Sequence, residues 1–196
     1  IIRRLSLPAI YAITQTAELG ESTMLQKIEL AAQHGLRLLQ VREKSMNKVQ
    51  LKQFIDEIIK RTKPYQMKVL INEDIALANE VGASGVHLTS SQLMDMSVRP
   101  DVAWCAASCH NIEELYHAER LGLDFVVLGP VLPTKSHPGA LELGWRKFSS
   151  MIRDYPLPVY ALGGMTQADL PIDIELGAHG IAMLRDIWKM GATEIR

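Results

Sequence analysis

Residues 69–88, VLINEDIALANEVGASGVHL, contain one complete unit of the fold. Val69-Leu70-Ile71-Asn72 is apolar without alternation, which predicts a strand buried on both faces, as parallel strands are. Asp74 to Val81 carries a short helical pattern, and Gly85-Val86-His87-Leu88 begins the next strand. Parallel strands need a crossover between them, and a helix supplies it.

The same alternation extends in both directions. Upstream, Ala9 to Thr14 reads as a strand, Glu21 to Gln33 as a helix, and Leu38 to Arg42 as the second strand. The helix that follows has Leu51, Phe54, Ile55, Ile58 and Ile59 at spacings of three and four. Downstream come a weak helix from Ser91, a strand at Trp104–Ser108 and a helix from Asn111 to Leu121. Asn111 is a good cap for that helix, with Glu113 and Glu114 in its positive first turn. Phe125 to Gly129 is a sixth strand, followed by a proline-bearing loop and a helix from about Trp145 to Tyr155. Val159 to Leu162 is the seventh strand, Thr166 caps the next helix, Gly180 to Leu184 is the eighth strand, and the tail from Asp186 ends in a short helix. Eight units in 196 residues leave roughly 24 residues each, which fits a (β/α)8 TIM barrel of the α/β class, one domain over 1–196. An open doubly wound sheet is the rival architecture.

Composition limits the function. The chain is 47% hydrophobic and 22% charged, so it can bury a core and is not a disordered segment. A net charge of −1 removes the electrostatic case for nucleic-acid binding. No apolar run approaches the roughly 18 residues of a membrane span. Cys105 and Cys109 form no disulfide framework and lack a second ligand pair for zinc; two buried thiols in a reducing, cytoplasmic compartment are expected. Ile1-Ile2-Arg3-Arg4 faintly resembles a signal-peptide start, but a first strand explains the following apolar run better. A first residue other than Met suggests a domain of something longer.

In a barrel the active site lies where strands end and helices begin. Polar clusters follow the apolar runs at Gln40–Lys44, Asn72–Asp74, Thr89–Gln92, Ser108–His110, Gly129-Pro130 with Pro133–His137, and Gly163–Thr166. Arg42 and Lys44, two apart, point the same way and would attract an anion, unless Glu43 or Glu73 neutralises them. Gly163-Gly164 ahead of Thr166 offers bare backbone N–H groups, either as a phosphate cradle or as a plain tight turn. Asn72-Glu73-Asp74 could hold Mg2+ or simply start a helix. His110 could act as acid or base; His87 is expected to be a packed barrel residue, and His34, His117 and His179 carry no function.

Taken together, Q-V-R-E-K at 40–44, I-N-E-D at 71–74, G-V-H-L at 85–88, A-A-S-C-H at 106–110, the run 118–134 and A-L-G-G-M at 161–165 resemble the thiamin phosphate synthase/TenI superfamily. The resemblance implies a barrel that joins hydroxymethylpyrimidine diphosphate to thiazole phosphate, giving thiamin phosphate and pyrophosphate. It implies that Gln40, Arg42, Lys44 and Asn72 contact the pyrimidine diphosphate, and that Glu73 stands where the family has a metal-binding Asp, for Mg2+. It further implies that Ser108 faces the reacting centre, Thr134 and Ser136 hold the thiazole side, and Gly164 holds the thiazole phosphate. Ser108, His110 and Lys44 are thus the catalytic candidates, with Gly163 beside the phosphate.

The chain departs from that pattern in three places. Thr89-Ser90-Ser91-Gln92 stands where the synthases carry an acidic run, which weakens the expected Mg2+ site. His137 replaces the usual Lys, with Lys135 as a substitute, and Arg185 replaces a small hydroxyl residue, where it would bind phosphate or cap the site. TenI-type members isomerise a thiazole carboxylate with a His that matches His110; a non-catalytic binder of thiazole or thiamin phosphate is the third reading. Ser136–Ala140 also resembles synthase-like domains fused to a Nudix hydrolase, a possible fused or partner domain. Small phosphorylated substrates are the expected partners, with no nucleic acid and no membrane.

Overall fold

A computed structural model describes residues 6–135, 139, 141–189 and 195. Eight parallel strands close into a barrel in chain order: β1 (Ile10–Ile13), β2 (Leu38–Val41), β3 (Lys68–Asn72), β4 (Gly85–Leu88), β5 (Trp104–Cys109), β6 (Phe125–Leu128), β7 (Val159–Ala161) and β8 (Gly180–Met183). β8 pairs with β1 through Ile10↔Ile181, Tyr11↔Ala182 and Ala12↔Met183, which excludes the open sheet. The helices are α1 (Thr16–Leu19), α2 (Glu21–Gln33), α3 (Lys48–Thr62), α4 (Ile75–Glu80), α5 (Ser90–Asp95), α6 (Ile112–Arg120), α7 (Gly144–Ile152), α8 (Leu170–Glu175) and α9 (Asp186–Lys189). None of the described helices is long and apolar enough to cross a membrane.

Strand alternation divides the apolar residues into two cores. Tyr11, Leu38, Leu70, Phe125, Val127 and Tyr160 point into the barrel. Their rings meet edge to face, with Tyr11–Phe125 and Phe125–Tyr160 centroids each 5.3 Å apart, a geometry that favours aromatic pairs. The outward residues pack against the helices. Phe54, Ile55 and Ile58 of α3 are fully buried there, each worth about 1.5–3 kcal/mol of transfer free energy.

Helix starts follow local chemistry. Asn47, Asp74, Thr89 and Asn111 each accept a backbone N–H of the first turn they cap. The helix expected after Thr166 is split into a 3-10 turn, Gln167–Asp169, and α8. Thr166 and Asp169 form a capping box that tightens the turn, and Pro171 restarts the helix as a first-turn proline. α7 ends before Tyr155, because Arg153 leaves helical geometry and Asp154 takes φ +63°. Both cysteines are buried and unbridged.

Candidate active site at the carboxyl ends of the strands

All eight strands run the same way, so their carboxyl ends share one mouth. Paired residues in neighbouring parallel strands share a face. The pairs Ile13↔Gln40, Asn72↔His87 and Ser108↔Val127 therefore turn Gln40, Asn72, His87 and Ser108 into the barrel. His87 Nδ1 lies 2.9 Å from the Tyr11 hydroxyl, and His87 Nε2 lies 2.9 Å from Ser108 Oγ. Burial, then the charge of Arg42, pushes the His87 pKa down to about 3, so the ring is neutral. His87 is buried as the sequence suggests, but it is wired to a catalytic candidate, a link that sequence reasoning missed. Its place inside β4 signals a packed position, but its partners meet it only when the barrel closes.

Beside this centre a cavity of about 440 Å3 opens between the ends of β2 and β3, lined by Lys44, Leu51, Asn72, Glu73 and Asp74 among others. The Arg42 N–H donates to Thr14 Oγ1 at 3.0 Å, which anchors its backbone. Glu43 forms no ion pair with its neighbours. It is buried and accepts the Thr16 N–H at 3.1 Å and the Thr16 hydroxyl at the start of α1. Among the described residues no acid forms an ion pair with Arg42 or Lys44.

Glu73 has φ +70°, in the left-handed region that non-glycine residues avoid. Three hydrogen bonds hold it there. Its N–H donates to His87 O at 2.9 Å, Asp74 N–H reaches back to Asn72 O at 2.8 Å, and Gln92 Nε2 donates to Glu73 O at 2.9 Å. The resulting γ-turn throws the Glu73 side chain into solvent at the cavity edge. Asp74 is occupied as the cap of α4, accepting Leu77 N–H at 2.8 Å. Gln92 Oε1 accepts Thr89 N–H at 3.1 Å, so this amide is engaged at both ends. Among the described residues no three His, Cys, Asp or Glu side chains gather to hold a metal. This donor set does not fit a preformed Mg2+ site.

Across the mouth, the loops after β6 and β7 lie against each other. Gly163 (φ +111°) and Gly164 (φ +65°) are required there: a Cβ on Gly163 would stand 2.8 Å from Pro130, and one on Gly164 2.8 Å from Pro133 O. Thr166 N–H and hydroxyl are taken by Asp169 at 2.8 and 3.0 Å, so the bare N–H groups are narrowed to the glycine turn itself. Thr134 is half-buried and Lys135 exposed; Ser136 and His137 lie outside the described residues. Arg185 reaches Glu18 with Nε and one terminal nitrogen, each at 3.0 Å, closing the gap between β8 and α1. His110 is exposed, with Nδ1 3.1 Å from Glu114 and its main-chain N–H donating to the same carboxylate at 2.6 Å. His117 and His179 contact main-chain carbonyls, as structural histidines do.

The family model for thiamine monophosphate synthase matches residues 10–187. A protein of Aquifex aeolicus named "Putative thiamine-phosphate synthase 2" is 35% identical over 181 residues, covering 91% of this chain and 96% of its own. The thiamine-phosphate synthase of Listeria monocytogenes serovar 1/2a is 30% identical over 192 residues, covering 91% and 88%. In structure, the thiamine phosphate pyrophosphorylase of Pyrococcus furiosus superposes with a TM-score of 0.77 at 22% identity, covering 96% of this chain and 93% of that one.

Proposed function

Since this chain belongs to the thiamine monophosphate synthase family, we propose that it couples hydroxymethylpyrimidine diphosphate to thiazole phosphate. The C–O bond between the pyrimidine methylene and the diphosphate breaks, and its electron pair leaves on the diphosphate oxygen. The thiazole nitrogen then gives its lone pair to the methylene carbon, forming the new C–N bond and releasing pyrophosphate. Arg42 and Lys44 stabilise the negative charge that grows on the leaving group, because preplaced charge need not reorganise during the step. Gln40 and Asn72 orient the pyrimidine, and Ser108 faces the reacting carbon. Gly163 and Gly164 hold the thiazole phosphate across the mouth, so that the two partners react as one complex. One observation carries this reading: two cations at the mouth, Arg42 and Lys44, form no ion pair with any described acid. Incubation with both substrates, following thiamin phosphate and pyrophosphate together, tests it. Absence of both products rejects it.

The Gln92–Glu73 hydrogen bond favours a second reading. With the second carboxylate position filled by an amide, a TenI-like tautomerase needs only the thiazole pocket and a base. His110 would be that base, its Nδ1 oriented by Glu114. Metal-independent conversion of thiazole carboxylate, lost in His110→Ala, would establish this reading instead.

A further inference from the structure

His87 takes no direct part in the coupling, yet both of its ring nitrogens are committed: Nδ1 to the Tyr11 hydroxyl and Nε2 to Ser108 Oγ, each at 2.9 Å. The ring is 1% exposed, and its neighbour Arg42 disfavours a second proton on it. A neutral imidazole has one donor and one acceptor nitrogen, so only two polarities satisfy both contacts. In one, Ser108 donates to Nε2, and Nδ1–H donates to Tyr11. In the other, Tyr11 donates to Nδ1, and Nε2–H donates to Ser108.

The donor strengths of the two hydroxyls decide between them. A phenol is a stronger hydrogen-bond donor and a weaker acceptor than an aliphatic alcohol, so the Tyr11 hydroxyl donates to His87 Nδ1. The imidazole proton then sits on Nε2 and points at Ser108 Oγ. The Ser108 oxygen is thereby occupied as an acceptor from below, and its own hydrogen is turned outward into the mouth.

We propose that Tyr11 and His87 are positioning residues whose ordered hydrogen bonds make Ser108 a donor toward the bound diphosphate substrate, where it meets an acceptor atom, a ring nitrogen or a phosphoryl oxygen. The kinetic consequence rests on the coupling reading; the hydrogen-bond order does not.

Two experiments test this. In protein with 15N-labelled histidine at neutral pH and without substrate, His87 is expected to show a protonated Nε2 and a bare Nδ1, and Tyr11→Phe to mix the two tautomers. A wild-type ring protonated on Nδ1 overturns the proposal. In the coupling assay, His87→Gln places an amide N–H near the lost Nε2 and should keep kcat within about tenfold, whereas His87→Asn reaches only Tyr11 and should fall to the level of Ser108→Ala. The loss should appear in kcat with KM nearly unchanged, and His87→Asn combined with Ser108→Ala should be no slower than Ser108→Ala alone. Equal losses in the Gln and Asn variants, or additive ones, overturn the positioning role. A wild type that forms no product ends the coupling reading, and the tautomer measurement still decides this one.

Discussion

The side-chain amide of Gln92 donates to the main-chain carbonyl of Glu73 across 2.9 Å, joining the end of β4 to the strained turn after β3. The same side chain closes the capping box of α5 through Thr89. Gln92→Ala should therefore cost about 1–2 kcal/mol of stability, from a lost cap and a lost pin on a strained residue. Hydrogen exchange should quicken at residues 72–75. Unchanged exchange there would mean that the turn holds itself.

Arg42 lies at the mouth and forms no ion pair with any described acid. Arg42→Ala should weaken pyrophosphate binding about 10–100-fold, the scale of one charge-assisted bidentate contact. Titration calorimetry measures this. Unchanged affinity would place Arg42 outside the anion site. Glu43→Gln, whose carboxylate is held by Thr16 at the start of α1, should alter affinity far less.

Asp173 is wholly buried on α8, and neither carboxylate oxygen has a described hydrogen-bond partner. Burial, then the nearby Asp169, raises its pKa from 3.8 to about 7. The folded state thus prefers the neutral acid. No penalty is present below about pH 4, where folded and unfolded chains are both protonated. Stability then falls as pH climbs from about 4 to about 7, and the full penalty remains above that. Asp173→Asn should flatten this slope and gain roughly 2–4 kcal/mol at pH 8 relative to its effect at pH 4. Thermal melts across that range would show it. Parallel curves for the two proteins would refute it.

Asp124, nearly buried at the start of β6, accepts from Arg99 at 2.7 Å and from the Cys105 N–H at 2.9 Å through one oxygen. Asp124→Ala should destabilise by about 3 kcal/mol, because it leaves the Cys105 N–H without its acceptor and Arg99 without its counter-charge. Denaturant unfolding measures the change. A loss under about 1 kcal/mol would show the pair to be effectively solvent-screened.

The eight units were legible because each strand is apolar throughout and each helix has its own stripe, as in Leu51, Phe54, Ile55 and Ile58. Caps such as Asn111 and Thr166 were equally local, and both are found capping, though Thr166 opens a 3-10 turn. What the sequence left open was decided by contacts between distant residues. Glu43 stood beside Arg42 and Lys44 as their natural partner, but it has the opposite parity and pairs with Thr16 under α1. The loss of a carboxylate at 89–92 was visible. That Gln92 would grip Glu73 was not, since the two meet only when β3 and β4 pair. His87 could be placed inside the barrel from its strand, but its link to Tyr11 and Ser108 requires strands from opposite parts of the chain to close.

The most direct test supplies both proposed substrates to the purified protein and quantifies thiamin phosphate against pyrophosphate, beside Lys44→Ala. The account predicts the two products in equal amounts from the wild type, and a loss of about 100-fold or more when Lys44 is removed, since electrostatic stabilisation of the leaving group contributes on that scale. A wild type that binds pyrophosphate but forms neither product, or a Lys44→Ala variant as fast as the wild type, would contradict it.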